Sequence, residues 1–265
     1  MSAFDQSSYQ VRFDWGLDGL ARLAPADVIV VVDVLRFSTA VTAAVEAGTT
    51  IALSAGLSRN GAPIAVAAGE HAARGATILP GCLRNRAAVA DAIVREQHAR
   101  GGRVSVAILA AGERAPRRAP APMKFGTLGA GAASPSENVI FQGTSDAARA
   151  QVPAADEWHE SSNDGRVVDP VDDGAAPRFS VEDLLGAGAI IDALTTRGID
   201  HASPEAAVAS EGFAALRGAV GHLLGASGSG RELTDRGLGA DVSFAAELDA
   251  STAVPVLRAG TLTRL

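Results

Sequence analysis

Apolar positions along this chain fall into short β-branched runs that alternate with alanine-rich stretches of helical periodicity. Val28–Val34 and Val104–Ala110 predict strands that are buried on both faces. Asn85–Arg100 predicts a helix, because its apolar residues share one face and Gly101-Gly102 follows it. This order of elements predicts an α/β fold, with three α/β/α layers around a mostly parallel, mixed sheet.

The same pattern predicts further elements along the chain. Helices are expected at 38–47, 62–74, 184–194 and from Pro204 towards Leu224, and short strands at 49–53, 77–79 and 254–257. Gly225–Gly230 predicts a glycine-rich loop, and Arg231–Leu248 predicts one or two short helices.

One long stretch interrupts this alternation. Residues 114–179 are rich in Ala, Pro, Gly, Ser and Asp and have no sustained hydrophobic period. A stretch of this length without secondary structure is unusual inside a compact domain. We therefore expect a single α/β domain over residues 1–265, with a flexible insertion at 114–179.

Composition narrows the classes of function. The 265 residues carry a formal net charge of −7 and only 4% aromatic residues, so nucleic acid and anionic membranes are poor candidates as partners. Cys82 is the only cysteine, which excludes an intrachain disulfide and a zinc site built from CxxC pairs. The sequence has no signal-peptide apolar region and no apolar run that could span a bilayer, so we expect a cytoplasmic protein.

Charged residues stand where two of the predicted strands end. Asp33 closes the first buried run, Arg36 follows it within one helical turn, and Glu113 follows the Val104–Ala110 run. Ligands of open α/β sheets bind at such strand ends. Asp33 could hold a divalent metal or act as an acid or base, and Arg36 could bind an anion. An ordinary strand-end acid that pairs with a nearby arginine explains the same spacing.

Other polar residues lie at predicted turns and at the starts of helices. Asn60-Gly61 could bind a ligand or could be a plain turn. Asn85 could bind an anion at a helix start or only cap that helix. Arg231 follows a loop of small residues that could cradle an anion or merely connect two elements.

Two further acids, Glu182 and Asp183, open a predicted helix. There they could simply stabilise the helix dipole. Together with Asp33 and Glu113, they form a set of oxygen ligands that would suit a hard cation such as Mg²⁺.

Several of these motifs occur in the same order in one known family. The motifs are 30–40 (VVVDVLRFSTA), 81–85 (GCLRN), 110–114 (AAGER), 181–190 (VEDLLGAGAI) and 230–233 (GREL). Together they resemble the 2-phosphosulfolactate phosphatase family (ComB-like), over roughly 28–113 and 180–265.

The resemblance implies an α/β/α fold and Mg²⁺-dependent hydrolysis of 2-phospho-3-sulfolactate, or of a similar small phosphorylated acid, to sulfolactate and phosphate. In archaea this reaction serves coenzyme M biosynthesis. The implied roles are as follows: metal ligands Asp33, Glu182 and Asp183; catalytic residues Asp33 and Glu113; substrate-binding residues Arg36, Asn60, Gly61, Asn85 and Arg231. The expected partner is a small phosphorylated or sulfonated organic acid, and a homodimer is one assembly to expect.

The chain departs from the family pattern in three places. Ile51 reaches Asn60-Gly61 without the family's long intervening segment, Arg59 replaces a proline, and residues 114–179 cannot be aligned. Two alternatives therefore stand beside the phosphatase. One is a catalytically inactive ComB-like protein that binds a small anionic metabolite or a partner, and the other is a purely structural α/β module.

Overall fold

The computed structural model describes residues 2–72, 74–114 and 177–265, and they form two sheets. The strands are β1 (Val11–Trp15), β2 (Val28–Val32), β3 (Ile51–Ala52), β4 (Thr77–Gly81), β5 (Val106–Ala110), β6 (Pro255–Arg258) and β7 (Thr261–Arg264). A four-stranded parallel sheet has the order β1-β5-β2-β4, and a three-stranded antiparallel sheet has the order β3-β7-β6.

Helices connect these strands and cover the parallel sheet. The helices are α1 (Gly16–Arg22), α2 (Phe37–Glu46), α3 (Gly61–Ala72), α4 (Arg86–Ala99), α5 (Val181–Thr195), α6 (Pro204–Leu216), α7 (Val220–Ala226), α8 (Gly228–Asp235) and α9 (Gly239–Ala245). Short 3-10 turns occupy Ala55–Leu57, Leu83–Asn85 and Arg217–Ala219.

Strand β2 is central to the parallel sheet. Its last residue, Val32, pairs with Ala110 of β5 on one side and with Gly81 of β4 on the other. Because the four strands run in the same direction, their carboxyl ends meet at one edge of the sheet. The residues that follow β2 and β5, including Asp33 and Glu113, are thereby brought to that edge.

The alternation of side chains along β2 divides the core into two layers. Val28, Val30 and Val32 point into a cluster that includes residues of α4, α5 and α6. Ile29 and Val31 point to the opposite face, where residues of α2 and α3 pack. A strand that is apolar on both faces needs cover on both faces, which confirms the predicted α/β/α class.

The antiparallel strands form a separate sheet rather than extending the parallel one. Ala259 and Gly260, between β6 and β7, both have positive φ (47° and 77°). Two such residues form the tight hairpin turn that pairs flanking strands with each other. The predicted strand at 254–257 therefore belongs to this hairpin, whose second strand, β7, was not expected.

Two other regions differ from the sequence predictions. Strand β1 and helix α1 lie in the polar N-terminal region, where charged residues obscure the strand pattern. Arg12 of β1 is 5% exposed, and its guanidinium donates hydrogen bonds to the carbonyl oxygens of Tyr9 and Ala24.

The predicted Gly225–Gly230 loop is wrong, because α7 continues to Ala226 and α8 begins at Gly228. Ser227 is the N-cap of α8, where its Oγ accepts a hydrogen bond from Gly230 N (3.0 Å).

The predicted insertion falls mostly on residues 115–176, which lie outside the described residues. Within the described ranges, Arg178 pairs with Glu113 in an isolated antiparallel bridge. None of the helices described is both long and apolar enough to cross a membrane.

Helices α5 and α6 pack so closely that their backbones touch, and this contact yields a stability prediction. A Cβ added at Gly188 of α5 would lie 2.0 Å from Ala209 O of α6, whereas a Cβ at Gly212 of α6 would meet nothing within 4 Å. We expect Gly188→Ala to lower the free energy of unfolding by about 1–3 kcal/mol through overpacking. Gly212→Ala should leave it unchanged or raise it by up to about 1 kcal/mol through helix propensity. Urea denaturation of both variants measures the difference, and equal stabilities would contradict the close packing.

Candidate active site

Asp33 lies at the carboxyl end of β2 and is held by the backbone around it. It is 3% exposed. Its Oδ2 accepts a hydrogen bond from Gly61 N (2.8 Å), and its Oδ1 accepts a longer one from Phe37 N (3.4 Å). A Cβ at Gly61 would lie 2.7 Å from both the Asp33 Oδ2 atom and Phe37 Cδ1, so this approach requires glycine. The predicted Asn60-Gly61 turn therefore contacts Asp33 directly.

Asp183, in the first turn of α5, joins the ends of the two central strands. It is 3% exposed. Its Oδ1 accepts a hydrogen bond from Val34 N (2.8 Å), after β2, and its Oδ2 accepts one from Gly112 N (3.0 Å), after β5. Gly112 has a φ of +69°, which turns its N–H towards this carboxylate at a conformation that glycine adopts without strain. Asp183 therefore lies beside Asp33, since its partner Val34 is the next residue in the chain.

These acids form a buried group with little positive charge to balance it. Glu182 is also 3% exposed, and among the described residues Asp33, Glu182 and Asp183 form no salt bridge. Burial, together with the charges of Glu113 and Glu182, raises the pKa of Asp33 from 3.8 to about 6. Burial, and then the charges of Asp33 and Glu182, raises the pKa of Asp183 well above its ordinary value.

Glu113 stands at the outer side of this group, among polar neighbours. Its side chain is 15% exposed. Its Oε2 accepts a hydrogen bond from Ser229 Oγ (3.1 Å), and the amide of Asn60 also bonds to it. Burial raises the pKa of Glu113, while the hydrogen bonds from Asn60 and Ser229 and the charge of Arg59 act in the opposite direction. The raised pKa makes this carboxylate a better proton acceptor than an exposed glutamate.

The remaining predicted site residues are not all brought to this group. Arg36 follows Asp33, but its Nη1 pairs with Asp241 of α9. Asn85 is fully buried: its Oδ1 accepts from Cys82 N (2.9 Å), and its Nδ2 donates to Thr42 Oγ1 and Ala253 O (both 3.1 Å). None of these bonds caps α4: the bond from Cys82 N closes the 82–85 turn, and the other two connect that turn to Thr42 and Ala253. The Asn85 side chain is therefore used within the fold.

Arg231 is exposed on α8, two residues after Ser229. Helix α8 therefore reaches the acids through Ser229, which the sequence analysis placed within a loop of small residues but did not select as a site residue. Arg59 and Arg178 were not selected either, although both lie beside Glu113. The sequence could not show this proximity, because only the fold brings residues 58–61, 113–114 and 177–178 together.

A metal ion would have to be bound by few protein ligands. In the part of the chain that the structure describes, no group of three or more His, Cys, Asp and Glu side chains is arranged to hold a metal. The three-carboxylate set predicted from Asp33, Glu182 and Asp183 is thus not assembled in this form. Mg²⁺, however, is commonly bound by one or two carboxylates and keeps several waters. Three buried acids without a basic partner among the described residues fit that manner of binding.

The fold and this site define an α/β/α protein with an acidic centre at the carboxyl edge of a parallel sheet. Residues 149–260 match the family model of 2-phosphosulpholactate phosphatase. The match begins within the 114–179 stretch that the sequence analysis could not align, which corrects that prediction from residue 149 onwards, and it continues through α5 to α9 and β6. It confirms the resemblance to that family over this part of the chain. It covers Glu182, Asp183, Ser229 and Arg231, whereas Asp33 lies outside it. A search of curated proteins finds no match.

The raised pKa values predict how stability depends on pH in metal-free protein. Because the folded state binds a proton at Asp33 more tightly than the unfolded state, the free energy of unfolding falls as pH rises from 3.8 through about 6. A shift of this size corresponds to at most about 3 kcal/mol. Urea denaturation in EDTA at several pH values measures the fall.

Asp33→Asn should flatten that pH dependence, because the amide does not titrate, while one of the two backbone N–H groups loses its acceptor at every pH. Asp200→Asn is the matched control, because Asp200 is exposed near the amino end of β1, at the opposite edge of the sheet. The electrostatic account would be wrong if Asp33→Asn kept the parent pH dependence.

Proposed function

We propose that this protein is a Mg²⁺-dependent phosphatase that hydrolyses 2-phospho-3-sulfolactate, or a similar small phosphorylated acid, to the hydroxy acid and phosphate. The observation that carries the proposal is the group of buried acids at the carboxyl edge of the parallel sheet. The family match supports the phosphatase class. The metal and the exact substrate are parts of the proposal.

The three buried acids favour the binding of a cation at this site. The carboxylate oxygens of Asp33 and Asp183 accept hydrogen bonds from backbone N–H groups. Each of these oxygens has two lone pairs, so it can also bind a cation. Glu182, which is equally buried, makes no hydrogen bond to the other described residues through its carboxylate. We assign Mg²⁺ to one or two of these three carboxylates, with water completing its shell. When bound, Mg²⁺ would polarise the phosphoryl group and balance its charge.

Glu113 is the general base in this proposal. Its carboxylate, oriented by Asn60 and Ser229, would take a proton from the attacking water as the new P–O bond forms. The bond between phosphorus and the ester oxygen of the substrate breaks, and that oxygen then needs one proton. The proton held by Glu113 satisfies this need, so the products are the free hydroxy acid and phosphate.

Two substitutions test these roles. We expect Asp33→Asn to lower kcat for phosphate release by at least about 100-fold, and Glu113→Gln by about 10²- to 10⁴-fold, the range typical of a lost general base. The assay is phosphate release from 2-phospho-3-sulfolactate by the full chain with Mg²⁺. Both variants keep the side-chain shape, so circular dichroism and urea denaturation should show folded protein.

The controls are Asp200→Asn and Glu211→Gln, which change exposed acids away from the site. Both should keep the parent activity. Parent-like rates in Asp33→Asn or Glu113→Gln would remove that residue from the mechanism. Tight binding of the substrate by the parent protein without turnover at any divalent metal would favour the inactive anion-binding alternative.

Mg²⁺ binding can be tested without any substrate. Because a cation relieves repulsion among the buried acids, millimolar Mg²⁺ at pH 7.5 should raise the melting temperature of EDTA-treated protein. The increase should be absent or much smaller in Asp183→Asn and unchanged in Asp200→Asn. An equal shift in all three proteins would place the binding of Mg²⁺ elsewhere.

A further inference from the structure

Arg59 approaches Glu113 from the Asn60 side and is only loosely held. Its Nη1 lies 3.9 Å from Glu113 Oε1 and donates a long hydrogen bond (3.5 Å) to Arg114 O. Its side chain is 51% exposed. A guanidinium offers five N–H donors, so most of its capacity to bind an anion is unused by these contacts.

Arg178 approaches Glu113 from the opposite strand. Glu113 N donates to Arg178 O and Arg178 N donates to Glu113 O, both at 2.9 Å. In such an antiparallel pair, the two side chains lie on the same face. Arg178 Nη2 lies 3.3 Å from the position of a Cβ at Gly228, the residue before Ser229. Its guanidinium is therefore on the side of the Glu113 Oε2 atom, which accepts the Ser229 hydrogen bond.

The charges at this place are arranged in two zones. The inner zone contains the buried acids Asp33, Glu182 and Asp183 and attracts a cation. The outer zone contains Glu113, with the charge of Glu232 nearby, and exposed guanidinium groups from two separate segments. A phosphate bound through a cation in the inner zone would leave the rest of a small substrate beside the outer zone.

We propose that Arg59 and Arg178 bind a second anionic group of the substrate, so that the site selects phosphorylated acids over phosphate monoesters that carry no other acid. This inference rests on the proposed phosphatase function. Guanidinium groups pair with carboxylate or sulfonate oxygens through two parallel N–H donors, a geometry that lysine cannot reproduce.

The experiment compares two substrates in one set of variants. For 2-phospho-3-sulfolactate, we expect Arg59→Ala and Arg178→Ala each to lower kcat/KM about tenfold, which corresponds to about 1.4 kcal/mol. For phenyl phosphate, which has no second acid, the same two substitutions should change kcat/KM by less than about twofold. Arg59→Lys should recover part of the loss. Arg103→Ala, at an exposed arginine before the amino end of β5, should match the parent protein with both substrates.

A binding measurement keeps the two proposals separate. Calorimetry with 3-sulfolactate, and with inorganic phosphate as the ligand that carries no second acid, needs no turnover. Arg59→Ala should weaken sulfolactate binding about tenfold and leave phosphate binding unchanged. If the parent protein releases no phosphate from either substrate, the phosphatase proposal fails, and this binding difference alone decides the role of Arg59. Equal losses with both substrates, or no loss with either, would overturn the proposed selectivity.

Discussion

The Asp183 carboxylate is the interaction on which the site depends. Its two oxygens accept N–H donors from Val34 and Gly112, which follow the neighbouring strands β2 and β5. A single side chain at the start of α5 thus fixes the relative position of two strand ends and of the helix. Without it, two buried N–H groups would lose their partners, at about 1–3 kcal/mol each. The Asp33 and Glu113 loops are oriented by the same contact, because Val34 and Gly112 are their immediate neighbours.

The same arrangement carries an electrostatic cost. Burying Asp33, Glu182 and Asp183 together raises the pKa of the two aspartates, since burial and mutual repulsion both disfavour their charged forms. A fold selected only for stability would place apolar side chains here. Groups whose pKa values are displaced in this way concentrate at functional sites, although structural networks can displace them as well. A proton relieves the repulsion, and so would the proposed cation, so that stability and the proposed activity would both depend on the protonation of this one group of residues.

Arginine has different roles at different distances from this centre. Arg12 is buried and donates to backbone carbonyls, and Arg84 is buried against Phe244 while it pairs with Glu247. These two residues connect segments of the fold. Arg59 and Arg178 are exposed and close to Glu113, so under the proposed function their donors would be available to the substrate. Charge count alone could not separate these roles, because burial decides whether a guanidinium serves the fold or a ligand.

The sequence by itself determined the layered α/β architecture, since a β-branched run such as Val28–Val32 must be covered on both faces. It also determined that polar residues such as Asp33 and Glu113 follow the strands. It did not determine β1, whose pattern is broken by Arg12 and Asp14, or the start of α8, which depends on the Ser227 cap. Only the tertiary structure decided that Asp33, Gly61, Glu113 and Asp183 meet, whereas Asn85 is used within the fold. The reason is physical: hydrophobic periodicity is local, but the partner of a buried polar group is chosen by the packing of segments far apart in the chain.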